Sequence, residues 1–128
     1  MEKLSAATNT LNWFEIPITD IGRAKQFYES IFEISLQQMD MMGMTMLAFP
    51  SEPPHVGGAL VKSESHIPSA TGAVIYLNAN PDLQQVLNRI EKAGGTITLP
   101  KTFINEDTGY MAFFLDTEGN LVGLHSVQ

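Results

Sequence analysis

This chain repeats itself, and the repeat limits what it can fold into. An extended apolar segment followed by an amphipathic helix is read at Trp13–Phe32 and again at Ala73–Ala93. Each copy then runs into short alternating strands and closes on a glycine-containing strand, Gly57–Val61 in the first and Gly119–His125 in the second. The apolar helix positions Ala24, Phe27, Tyr28 and Ile31 recur at one constant offset as Leu83, Val86, Leu87 and Ile90. A period of about 60 residues means two copies of one supersecondary unit that bury their apolar faces together. One helix can cover only one face of its strands, so the opposite face is left to line a cavity or to be buried by the other half.

The spacing predicts the elements in order. Leu11–Ile18 alternates as a strand, with Phe14, Ile16 and Ile18 on one face and Trp13, Glu15 and Pro17 on the other. Asp20 is placed to cap the first helix. Ser35–Asp40 and Met44–Phe49 read as strands turning at Met42–Gly43, and Gly57–Lys62 as the strand that returns. In the second copy Ala73–Leu77 reads as a strand, and Asn80 with Pro81 behind it reads as the start of a helix that Gly94–Gly95 stops. Thr96–Leu99, Tyr110–Leu115 and Leu121–Val127 complete the pattern, with a tight turn at Thr117–Asn120. The resulting expectation is one α+β domain of two βαβββ modules: module one about 10–62, a polar linker 63–71 carrying Pro68, and module two about 72–128.

Composition removes several classes of function. The chain has 128 residues and 44% hydrophobic content, enough for a real core, and no apolar run of the roughly 20 residues a bilayer span needs. Without cysteine there is no thiol nucleophile, thiolate metal site or disulfide framework. A formal charge of −7 repels phosphate backbones, so nucleic acid is not an expected partner. Residues 1–10 carry no apolar signal core, and a cytoplasmic address is expected.

The stretch Phe-Glu-Ile-Pro-Ile-Thr-Asp-Ile-Gly-Arg-Ala-Lys-Gln-Phe-Tyr-Glu-Ser-Ile-Phe over residues 14–32 resembles the opening module of the vicinal oxygen chelate superfamily. Glyoxalase I, the bleomycin-resistance proteins and extradiol dioxygenases belong to that superfamily. Residues 112–126 resemble its closing hairpin, and residues 91–95 its second helix end. The resemblance implies paired modules whose strands curl around a shared cleft, and a homodimer. Metal-dependent members hold a divalent ion with His and Glu from the first and last strands of each module. Carried onto this chain, those positions fall at Trp13, near Gly58 or Ala59, among Gly72, Ala73 and Val74, and at Gly123. None of these side chains coordinates a metal, so no metal or other cofactor is expected.

A cleft without metal leaves a short set of candidates. Glu15 shares the face of Trp13, and His125 lies two residues beyond Gly123; together they are candidate catalytic acid and base. Each also has a plainer reading, as a solvated carboxylate and a backbone-satisfied histidine. His55 and His66 read as solvated loop residues. Trp13, Met39, Met44, Met46, Lys101, Tyr110 and Phe114 are the candidate ligand-binding residues; five of the seven methionines crowd one hairpin, and methionine suits surfaces that accept varied ligands. The expected function is sequestration of a hydrophobic or cationic small molecule. Two others stay open: a lyase or isomerase resembling glyoxalase I that uses Glu15 and His125, and an accessory module with a closed cleft.

Overall fold

A computed structural model describes residues 3–128. Two copies of one topology are present. The first module runs β1 (Trp13–Pro17), α1 (Ile21–Phe32), β2 (Gln37–Met41), β3 (Met44–Ala48) and β4 (Gly57–Lys62). The second runs β5 (Tyr76–Asn78), α2 (Gln84–Ala93), β6 (Thr96–Asn105), β7 (Gly109–Leu115) and β8 (Leu121–Ser126). Sheet order is β1-β4-β3-β2 in one and β5-β8-β7-β6 in the other, so each opening strand lies parallel to its closing strand at a sheet edge.

Strand parity sorts the side chains. In the first sheet Phe14, Ile16, Leu47 and Leu60 face the helices and join the main core with Ala24, Phe27, Tyr28 and Ile31 of α1. The alternate residues Met46, Ala59 and Val61, with Met44 against them, form a separate small cluster on the helix-free face. In the second sheet Leu77, Ala112, Phe114, Val122 and Leu124 reach the same main core, where Leu83 and the α2 residues Val86, Leu87 and Ile90 meet them. One core therefore runs through both modules.

Two predicted boundaries are corrected. Helix α2 begins at Gln84, not beside Pro81. The Asn80 carboxamide accepts the Val127 amide N–H instead of capping a helix, and the Leu83 amide donates to Ser126 Oγ (2.9 Å). Strand β6 continues through Pro100 to Asn105, with register shifts on either side of Leu99, the irregular pairing that tolerates proline inside a strand. Smaller shifts occur at β5, which starts at Tyr76 rather than Ala73.

The modules are clamped by a turn. Glu118 Oε1 accepts the amide N–H groups of Thr19 and Asp20, both at 2.8 Å, at the N-terminus of α1. Its Oε2 takes Arg23 Nε at 2.7 Å, with the Glu118 side chain wholly buried and Arg23 half exposed. Burial alone works against the charge on Glu118 and is the largest single influence on it. Arg23, the two amides and the Thr117 hydroxyl together outweigh burial and bring the carboxyl down from 4.5 to about 2. Beside it, buried Asp116 accepts the Tyr28 hydroxyl at 2.6 Å, and Asn120 Nδ2 donates to the Pro17 carbonyl at 2.7 Å.

Candidate functional site

The two modules can be superposed through their hydrogen bonds. Ile18 N–H donates to the Val61 carbonyl in module one, and Ala79 N–H to the His125 carbonyl in module two. Position 79 thus stands for 18, Tyr76 for Glu15 and Val74 for Trp13. On the closing strands Gly123 stands for Ala59, since Glu15 pairs with Ala59 and Tyr76 with Gly123. The four positions where the related metal sites have ligands are then Trp13, Ala59, Val74 and Gly123. A Cβ built at Gly123 would lie 2.6 Å from the Tyr76 ring, so that corner is already filled by an aromatic side chain. Among the described residues no three His, Cys, Asp or Glu side chains converge as a metal-ligand group. The donor set does not fit a divalent ion.

The candidate residues are distributed over three places. Trp13, Glu15, Met39, Met44 and Met46 share the helix-free face of the first sheet, where the register sets Met39 against Met46 and Met41 against Met44. Trp13 remains 42% exposed there. His125 lies on the helix-free face of the second sheet; its Nε2 is 2.6 Å from the Thr108 carbonyl, and it lines a recess with Tyr76, Asn78 and Met111. Lys101 and Tyr110 are on neither face. Lys101 Nζ sits 4.4 Å from the Tyr110 ring centroid and 2.8 Å from Asp82 Oδ1, just before α2. Phe114 is corrected outright: expected in the cleft, it is fully buried in the core against Phe27 and Tyr28, because its pairing with Val122 turns it inward.

Glu15 and His125 do not meet within the chain. Glu15 lines a small recess beside the linker, and His125 lines a different one on the other module. The partner of Glu15 is His66, which had read as a solvated loop residue. His66 Nε2 is 2.8 Å from Glu15 Oε1, and Trp13 Nε1–H donates to Oε2 at 3.2 Å. The hydrogen bond from His66, then that from Trp13, outweighs partial burial and holds the Glu15 carboxyl below its ordinary range. Nothing local in the sequence announces this pair; it depends on the linker folding back across β1.

A cavity of about 770 Å³ lies elsewhere again, on the helix-covered side of the seam between modules. Phe14, Phe32 and Phe49 wall it from module one, and Ile75, Leu77 and Val86 from module two. Gln85, Arg89, Glu33 and Asp82 supply polar groups. Arg89 is committed, Nη1 donating to the Ile31 carbonyl and Nη2 to Glu33. Lys101 holds Asp82 ionised below its ordinary range, helped by the Gln84 amide. Thr10 and three asparagines add to these, and a concave volume of this size with polar groups set into an apolar wall is what small-molecule sites share. The sequence signal for it is weak, because Phe14 reads simply as sharing a strand face with Ile16 and Ile18, and Phe49 as the end of a strand.

Comparison with known proteins agrees with this architecture. The profile of the Glyoxalase/Bleomycin resistance protein/Dioxygenase superfamily matches residues 10–124. No curated protein matches the chain by sequence. Among solved structures, a glyoxalase I mutant from Zea mays superposes with TM-score 0.67 at 20% identity over 90% of this chain and 46% of its own. A glyoxalase/bleomycin resistance protein from Albidiferax ferrireducens gives 0.66 at 16% identity over 91% and 97%. An antibiotic binding protein from Streptomyces gives 0.63 at 20% identity over 95% and 98%. At these identities the likeness is one of fold.

Proposed function

Since the chain belongs to the Glyoxalase/Bleomycin resistance protein/Dioxygenase superfamily, we propose that it binds a small organic molecule in the cavity at its module seam, without a divalent metal. The carrying observation is that cavity: about 770 Å³, walled by Phe14, Phe32 and Phe49 and by aliphatic residues of both modules, in a chain whose ligand corners hold indole, methyl, isopropyl and hydrogen. Its affinity comes mainly from apolar burial, about 25 cal/mol per Å² removed from water. Both lining carboxylates are paired, Glu33 with Arg89 and Asp82 with Lys101, so a neutral, mainly apolar body with a hydrogen-bonding head fits better than an ion. Resemblance in fold to an antibiotic binding protein supports the same reading. Thermal-shift screening of the full chain with aromatic and cationic compounds tests it. Compounds that stabilise the wild type and lose their effect in Gln85→Trp, which fills the cavity mouth, support the site; no stabilisation by any compound refutes it.

The lyase reading has less support, because Glu15 and His125 line separate recesses. An accessory module with a closed cleft is disfavoured by the open seam cavity. We also propose a homodimer, with Trp13, Met39, Met41 and Tyr76, each between 40% and 48% exposed on the helix-free faces, among its contact residues. Light scattering on the eluted protein decides it, a monomer mass at all concentrations being the contrary result.

A further inference from the structure

Three polar side chains on the helix-free face of the first sheet stand in one hydrogen-bonded line, independent of the seam cavity. Ser63 follows β4 directly, and its Oγ lies 2.6 Å from His66 Nδ1. The far nitrogen of that ring, Nε2, lies 2.8 Å from Glu15 Oε1, contributed by β1 from 51 residues away. Ser63 Oγ also accepts the amide N–H groups of Ser65 and His66, each at 3.2 Å. At 2.6 Å the Nδ1 contact is the shortest that Oγ makes, the Ser65 hydroxyl lying at 3.3 Å, and with Nδ1 as acceptor the Ser63 proton points at it. The ring then carries its own proton on Nε2, toward the carboxylate. A turn of Ser63 on itself explains the two amide contacts; it requires neither an imidazole at position 66 nor a carboxylate on β1.

We propose that Ser63 is an acyl-accepting nucleophile, with His66 as its general base and Glu15 as the residue that positions the ring. A hydroxyl, a base in hydrogen-bond reach and a third group orienting the base make up an activated nucleophile. The Oγ attacks the carbonyl carbon of an ester while its proton passes to His66 Nδ1. The tetrahedral adduct collapses, the bond to the leaving oxygen breaks, and the imidazolium returns the proton to the departing alcohol. Water, deprotonated by the same ring, then attacks the acyl-serine and releases a carboxylic acid and free Ser63. The sum is ester plus water to acid plus alcohol.

The surroundings set the substrate class. The Ser65 and His66 amides face Oγ itself, where they favour its ionised form, and not the position of the carbonyl oxygen on which charge grows during attack. That arrangement suits activated acyl compounds such as aryl esters, whose leaving groups need little help. Ser63 and His66 are part-buried, and the Glu15 side chain is 33% exposed, so a small ester can reach them.

The test uses the intact protein with a fluorophosphonate probe and with p-nitrophenyl acetate. One phosphonyl adduct on Ser63 by peptide mass spectrometry and a p-nitrophenolate burst near one equivalent are expected. Ser63→Ala loses both, and His66→Ala slows acylation at least about 100-fold. Glu15→Gln retains the adduct but lowers kcat about 10-fold with KM unchanged, and Glu15→Asp, which can still orient the ring, restores most of the rate. His55→Ala, in an exposed loop, labels as the wild type does. No adduct on folded wild type, labelling at another residue, or an unchanged rate in His66→Ala overturns the assignment; an unchanged kcat in Glu15→Gln, or no rescue by Glu15→Asp, overturns the role of Glu15.

Discussion

Replacing Glu118 with Gln removes the charge that joins the β7–β8 turn to the start of α1 while keeping the side-chain shape. Glu118 takes two backbone amides at 2.8 Å and the Arg23 guanidinium at 2.7 Å, all from module one. Its fall from 4.5 to about 2 is worth about 3 kcal/mol at roughly 1.36 kcal/mol per pH unit. Arg23 is half exposed and its share is screened by solvent, which brings the expected cost of Glu118→Gln to about 2 kcal/mol. For a domain of this size that lowers the melting temperature by about 5–10 °C. The pH dependence follows from the sign. A carboxyl whose folded value is depressed contributes its full stability above 4.5 and loses it as pH falls toward about 2. Wild type and Glu118→Gln, compared by urea unfolding, should differ fully at pH 7, by less than half of that at pH 3, and hardly at all near pH 2. A difference that stays constant from pH 7 to pH 3 would show that the carboxylate charge is not what holds the modules together.

Other substitutions probe separate parts of the molecule. Tyr28→Phe removes a buried 2.6 Å bond to Asp116 and should cost about 1–3 kcal/mol by chemical unfolding, with no effect on ligand-induced thermal shifts. Gly109→Ala sets a Cβ against the Ser126 carbonyl and 2.8 Å from Val127 Cα at a φ of +100°, and should cost at least about 2 kcal/mol in the same assay. His66→Ala removes the strongest influence on Glu15, so the Glu15 carboxyl, followed by NMR of the labelled side chain, should titrate at higher pH than in the wild type.

What the sequence could disclose was whatever repeats over a few residues. The buried stripes Ala24–Ile31 and Leu83–Ile90 were legible because helical periodicity is local, and β4 was read with its observed bounds because glycines and a proline-rich loop frame it. The Met42–Gly43 turn was legible too; both residues adopt positive φ. Errors arose where a distant group decided the outcome. Asn80 looked like a helix cap until the Val127 amide, 47 residues on, took its carboxamide. Pro100 looked like a strand end, and a bulge against β7 carries it through. Phe114 was set in the cleft, although strand parity pairs it inward with Val122. His66 and Glu118 could not be read as partners of Glu15 and α1, since both contacts cross between segments far apart in the chain. The seam cavity was hidden for a related reason: its walls are ordinary core residues that happen not to close on one another where the modules meet.

A crystal structure of the protein with a compound that raises its melting temperature gives the most direct answer about the ligand site. Density for that compound among Phe14, Phe49, Ile75 and Val86 is the expected result. Density confined to the Trp13–Met46 face, or a coordinated cation at Trp13, Ala59, Val74 or Gly123, would contradict a metal-free site at the module seam.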